Sequence, residues 1–371
     1  MNQSIRFIFA GVIVSGLLVS PTFAADSPAV TVVMTGLDNP RGLAIAPNGA
    51  VFVAEAGRGG APCTGTAGLN CFGHTGAVSR FWKGRQDRVA TGLSSISFPQ
   101  GNQARGPHDI AMLGLGTARL TVGLEADPAT RETLNRPGLG WLIEIPAETL
   151  MAPSGHLRQD NWSFAVDIAA FEASANPHPR QIESDPYAVL AVPSGYVVVD
   201  ASGNSLLDVD EQGNTSALAI FPSRPERFTD SVPTTVAIGP DGAYYVGEFT
   251  GFGAPLPGPG EAKIYRVVPG ESPIVFCTGF NRIIDIAFDS DGSLYVLQYS
   301  TLANPVAGGA LFRVVPPSAE SPDRSCPDRE KIDTGVALDQ PTAVAIAPDG
   351  ALYISNRGGR IGVGEVLRIE R

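Results

Sequence analysis

Residues 36–55, GLDNPRGLAIAPNGAVFVAE, return in close copy near the other end of the chain as residues 337–356, ALDQPTAVAIAPDGALYISN. Each copy holds a short apolar run, a tight turn at Asn-Gly or Asp-Gly, and a second β-rich run. That is the pattern of a β-hairpin. Between them lie SDPYAVLAVPSGYVVVD from Ser184, SVPTTVAIGPDGAYYVGE from Ser231 and FNRIIDIAFDSDGSLYVLQ from Phe280, with a weaker copy, RGPHDIAMLGLGTARLTVGLE, from Arg105. A third β-run follows each hairpin, as at 141–144, 264–267 and 366–369, and a fourth usually leads into the next copy. Four antiparallel strands in each of six units predict an all-β, six-bladed β-propeller, because a sandwich does not repeat one hairpin six times. The last unit stops after its third strand, while a spare β-run at 29–37 precedes the first hairpin. The N-terminal run is therefore expected to complete the last blade and close the ring, which removes exposed sheet edges.

The composition agrees with this fold. Of 371 residues, 43 are Gly and 31 Pro, so turns are frequent, and 43% are hydrophobic, enough for a full core. A formal charge of −11 excludes nucleic acid and anionic membrane surfaces as main partners. Residues 1–24, MNQSIRFIFAGVIVSGLLVSPTFA, place Arg6 before an apolar run that Pro21 ends, with Thr22 and Ala24 as small residues at a cleavage site. This is the layout of a secretory signal. The expected product is an exported, periplasmic or extracellular protein whose single domain spans 25–371, with no membrane span and a monomeric state. In an oxidising compartment Cys63 and Cys71 are expected to form a local disulfide and Cys277 and Cys326 a second one, with free structural thiols as the alternative. Residues 161–176, NWSFAVDIAAFEASAN, are the one stretch expected to be helical.

Strand parity sorts the loops. The Asp-Gly turns fall on one face, and the long Gly-rich segments 56–76, 126–140, 249–262, 300–309 and 357–364 fall on the other. Long loops gathered on one face of a rigid ring are where binding and catalysis concentrate. Aligned on the turn, the first strands start on that same face at Arg41-Gly42, His108-Asp109, Tyr187-Ala188, Thr234-Thr235, Ile284-Asp285 and Thr342-Ala343. Arg41, His108 and Tyr187 are thus candidate ligand-binding residues at the channel mouth. Asp109 and Asp285 are candidate metal ligands, with calcium as the cofactor their oxygens would suit. Together with His108 they are also candidate catalytic acids and bases. The alternative is that these groups satisfy one another. The second strands end in a further polar ring, Glu55, Glu125, Asp200, Glu248, Gln298 and Asn356. Glu55 and Glu248 are its candidate ligand-binding members, although a position used in every blade also suits the capping of a loop.

Residues 184–213, SDPYAVLAVPSGYVVVDASGNSLLDVDEQG, resemble an NHL-type propeller repeat, with Asp200, Asn204 and the VDEQG turn in place. The run VPTTVAIGPDGAYYVGEFTGF (232–252), then AKIYRVVPG and FNRIIDIAFDSDGSLYVLQ, resembles the ScyD/ScyE family, as does DIAAFEASANP in the 162–176 insertion. The resemblance covers nearly all of the mature chain. It implies an exported propeller acting as an accessory protein in the assembly of a scytonemin-like pigment, holding a small molecule or protein partner on its long-loop face. The alternative is a calcium-dependent propeller hydrolase or lyase with its site in the axial channel. The lactonases of that kind place a Glu, Asn and Asp set in the channel, whereas the strand starts here supply only Asp109 and Asp285 as carboxylates.

Overall fold

The computed structural model describes residues 28–64, 70–153, 160–179, 181–223, 229–251, 258–302, 307–314 and 329–371, together with Met1 and Cys326. The expected secretory segment, apart from Met1, lies outside the described residues.

The hairpin turns form as their chemistry dictates. In the first blade Gly49 takes φ +80°, its N–H donates to the Ala46 carbonyl, and the Asn48 side chain accepts the Ala50 N–H at 3.1 Å. Asp241, Asp291 and Asp349 do the same for the N–H two residues on, at 3.2, 2.8 and 3.0 Å. A short acceptor side chain followed by glycine closes the loop in the same way each time.

Six four-stranded antiparallel blades result. Blade 1 runs through Pro40–Ile45, Val51–Glu55, Asn70–Trp82 and Arg85–Ser97; blade 2 through Pro107–Met112, Ala118–Val122, Trp141–Ile145 and Ser163–Asp167. Blade 3 comprises Pro186–Val192, Gly195–Asp200, Ser205–Asp210 and Thr215–Ile220. Blade 4 comprises Pro233–Ile238, Tyr244–Glu248, Ala262–Val267 and Ile274–Phe280. Ile283–Phe288, Leu294–Gln298, Ala310–Val314 and Arg329–Lys331 form blade 5. Ala343–Ile346, Leu352–Asn356 and Gly364–Ile369 form blade 6, completed by the N-terminal strand Val30–Leu37. That strand pairs antiparallel with Gly364–Ile369 in the register Val30 to Ile369, Val32 to Leu367 and Met34 to Val366. Its buried Met34 and Leu37 pack with Val53 and Val366, so the closing strand also touches blade 1. The first strands of successive blades touch one another in cyclic order, 1 to 6 and back to 1, and so line the axis.

Both expected disulfides, Cys63–Cys71 and Cys277–Cys326, are present. Two local expectations change. The segment 56–76 is not loop throughout: Cys63–Thr64 pairs with Asn70–Trp82, whose 13 residues rise beyond the blade as a ribbon with Arg85–Ser97. Only half of the predicted helix is helical. Ser163–Asp167 forms the outer strand of blade 2, and the helix is Ile168–Ala175, while two short helices outside the expected stretch occupy Thr130–Thr133 and Ala147–Met151. Asp167 marks the change, because its side chain accepts the Ala170 N–H at 2.9 Å as an N-cap. Among the described residues no helix is long and apolar enough to cross a membrane.

Candidate active site at the channel mouth

On the face opposite the Asp-Gly turns the axial channel widens into a cavity of about 380 Å³. Five of the first-strand starts line it: Arg41, His108, Tyr187, Thr234 and Ile284. Residues two positions upstream contribute Asp185, Val232, Arg282 and Gln340, and those beyond the second strands contribute Glu125, Ala201, Phe249 and Tyr299. Phe98, Gln103 and Arg105 come from the connection between blades 1 and 2. Most of the charged groups therefore gather on the side of blades 1 to 3, while Thr234, Arg282 and Gln340 come from blades 4, 5 and 6. Val232, Phe249, Ile284 and Tyr299, from blades 4 and 5, form an apolar wall.

His108 sits at the centre of the polar side, 3% exposed, its ring 4.6 Å from that of Tyr187. Its Nδ1 is buried with no hydrogen-bond partner and lies 3.8 Å from Oδ1 of Asp185. Gly123 makes this approach possible, because a Cβ there would lie 2.2 Å from His108 Cε1 and 2.4 Å from Asp185 Oδ1. Burial, and after it the charges of Arg41 and Arg105, hold the imidazole well below its usual pKa, so it is neutral at pH 7. Burial, with Glu125 and Asp200 nearby, pushes Asp185 well above the carboxylate range, although its Oδ1 accepts the Leu124 N–H at 2.9 Å. Burial also raises the Tyr187 phenol.

Three guanidinium groups surround this set. Arg105 pairs with Glu125 at 2.6 Å, and Arg282 lies 5.2 Å from the centre of the Phe249 ring. Arg41 is 9% exposed, donates to the Ala104 carbonyl at 2.7 Å, and leaves its Nε without a partner. A buried imidazole held neutral and a buried carboxyl pushed upward, beside three guanidinium groups, are the arrangement in which acid and base roles are set by environment.

The remaining candidates fall elsewhere. Asp109 and Asp285 lie one layer deeper, beside a void of about 20 Å³, roughly the room of one water. Their oxygens bind neighbouring blades. Asp109 accepts the N–H of Ile110 and, from blade 3, of Val189, at 2.8 and 2.9 Å. Asp285 accepts the hydroxyl of Thr235 and the N–H of Ile286 and of Val344, at 2.7, 2.8 and 2.8 Å. Among the described residues no group of three or more His, Cys, Asp and Glu side chains is placed to hold a metal. Glu55 and Glu248 do not line the cavity. Glu55 accepts the Asp38 N–H at 2.7 Å and pairs with Arg88, while Glu248 accepts the Tyr265 hydroxyl. Asp200, Gln298 and Asn356 accept the N–H of Asp185, Asn281 and Asp339 in the same manner as Glu55. These four members of the polar ring tie their blades to the segments that lead into them.

Asp185, Arg282, Arg105 and Phe249 were not singled out as candidates in the sequence. A signal for two of them was available, because the alignment that yields Arg41, His108 and Tyr187 yields Asp185, Val232, Arg282 and Gln340 when moved back by two residues. Asn39, Val232, Arg282 and Gln340, at this shared position, all have left-handed backbone, with φ of 50°, 51°, 41° and 51°. For a β-branched residue such as Val232 that conformation is strained, and strain of this kind collects at functional sites.

No family model and no curated protein matches the chain. Solved structures do. An oxidoreductase from Thermus thermophilus, described provisionally as a glucose dehydrogenase, aligns over 92% of this chain and 100% of its own with 18% identity and a TM-score of 0.56. The PQQ-bound aldose sugar dehydrogenase of Streptomyces coelicolor aligns over 93% and 99% with 12% identity and a TM-score of 0.51. A protein provisionally described as a gluconolactonase aligns over 93% of each chain with 11% identity and a TM-score of 0.50. At these identities the likeness establishes the six-bladed propeller. The expected NHL-type, ScyD/ScyE accessory or binding role is corrected, since these similar structures carry enzyme descriptions.

Proposed function

We propose that the chain is an enzyme that acts on a small hydroxyl- or carbonyl-bearing molecule at the channel mouth, with His108 as general base. One observation carries this reading: a neutral, buried imidazole with an unpartnered Nδ1 borders a cavity large enough for a small ligand. His108 would take the proton from a substrate hydroxyl or from water. Arg41 would then face the negative oxygen from a buried position, where a fixed cation is worth more than in water. Asp185 Oδ1 lies 3.8 Å from His108 Nδ1, too far for a direct bond to the ring, and would hydrogen-bond the substrate hydroxyl that this nitrogen deprotonates. The Phe249 and Tyr299 rings, tilted by 58° with centres 5.6 Å apart, offer aromatic surface beside the nearby cations, and an anionic quinone bound there would supply a hydride acceptor for alcohol oxidation. The reading needs no calcium between Asp109 and Asp285, where an ion would compete with the N–H groups they already accept.

The test is turnover of aldoses, polyols and lactones, with and without added PQQ and an artificial electron acceptor, by wild type and His108→Gln. Wild type should turn over at least one class. His108→Gln should lower kcat by about 10²–10⁴-fold while thermal unfolding stays in place. Equal rates in the two proteins, or no turnover by either, would remove the proposal.

A further inference from the structure

We infer that the molecule held beside His108 is an amphiphilic hydroxy acid: its carboxylate docks on Arg41, and its apolar body lies against Val232, Phe249 and Ile284. The inference rests on the enzymatic reading and adds the substrate class. Arg41 carries it. This guanidinium is nine-tenths buried, lines the cavity, spends one N–H on a backbone carbonyl, and has no carboxylate in ion-pairing distance among the described residues. Taking a cation out of water without a counter-charge is costly, and the cost is offset when an anion supplies a charge-assisted pair. The other positions suit a ligand that is charged at one end only. Arg105 already has Glu125, Arg282 lies against the Phe249 ring, and the rest of the far wall is mainly hydrocarbon and aromatic ring. Arg41 and His108 start the first strands of adjacent blades, so a carboxylate on Arg41 brings the neighbouring carbon and its hydroxyl over the imidazole. The chain as a whole carries a charge of −11, which makes this unpaired cation a local reversal rather than part of a basic surface.

The experiment is calorimetric titration of a set of C4–C9 2-hydroxy acids, each with its uncharged amide, into wild type, Arg41→Met, Arg41→Lys and His108→Gln, with PQQ as a separate arm. At least one acid should bind wild type ten or more times more tightly than its amide. Arg41→Met should lose that preference, Arg41→Lys should keep part of it, and His108→Gln should retain binding while losing turnover. If no acid is preferred over its amide, or the preference survives in Arg41→Met, the inference fails, even where His108-dependent turnover of neutral substrates leaves the enzymatic reading standing. Tight binding of PQQ with acids and amides indistinguishable would also overturn it, by assigning the anion to a cofactor. Acid-selective binding with no turnover in wild type would instead count against the enzymatic reading.

Discussion

Arg41 and Gly42 are consecutive residues with different constraints. The first presents a cation to the cavity, and the second leaves room for Asp109 to reach across to blade 3. A Cβ on Gly42 would lie 2.0 Å from Asp109 Oδ1 and 2.7 Å from its Cα, so backbone as well as side chain would have to move. Gly42→Ala should therefore cost about 1–3 kcal/mol by overpacking, read as a lower denaturation midpoint in urea. An unchanged midpoint would mean that the blades 1 and 2 interface is looser than the structure shows. At this scale the sequence was partly legible. Arg41, His108 and Tyr187 could be placed because strand starts follow from the turn register. Asp185 and Arg282 were not read because they precede the strand, where no side-chain alternation points to a face.

At the scale of elements, closure of the ring depends on one strand. Val30–Leu37 is far in sequence from its partner Gly364–Ile369, so its pairing carries a large loop-closure cost that burial of Met34 and Leu37 must offset. Met34→Ala removes the larger part of a fully buried side chain and should destabilise the protein by about 2–5 kcal/mol. Equilibrium unfolding followed by tryptophan fluorescence measures this, and a loss below about 0.5 kcal/mol would show that the closing strand contributes little. The strand itself was readable from its β-branched run and the vacancy in the last unit. Ser163–Asp167 was read as helix because SFAVD continues into a helical apolar pattern. What separates the two is the Asp167 cap and pairing with Trp141–Ile145, and only the second blade's geometry supplies that pairing.

Across the whole molecule, buried carboxyls govern the response to pH. Burial raises Glu172, aided by the nearby Asp200, to about 8, and raises Asp285 to about 6; Asp109, Asp185 and Asp200 shift in the same direction. Between pH about 4.5 and 8 the folded protein therefore holds protons that the unfolded chain has released, and stability falls as pH rises. The paired carboxylates act oppositely. The hydrogen bond from Arg371 lowers Asp289 and that from Arg368 lowers Asp349, and their contribution is lost as pH drops below about 4. The melting temperature should peak near pH 5, decline toward pH 8, and decline less steeply in Glu172→Gln. A flat profile from pH 5 to 8 in wild type would show these carboxyls to be solvated.

The six copies of one hairpin were sufficient in themselves to specify the blade count, the turn chemistry and the closing strand, because those properties follow from short-range pattern repeated along the chain. Beyond the strand-start residues Arg41, His108 and Tyr187, the composition of the cavity was decided by folding. Arg41, His108, Asp185 and Phe249 come from four different blades, and the protonation of His108 and Asp185 depends on how deeply the assembled ring removes each from water, a quantity that no local stretch of sequence contains.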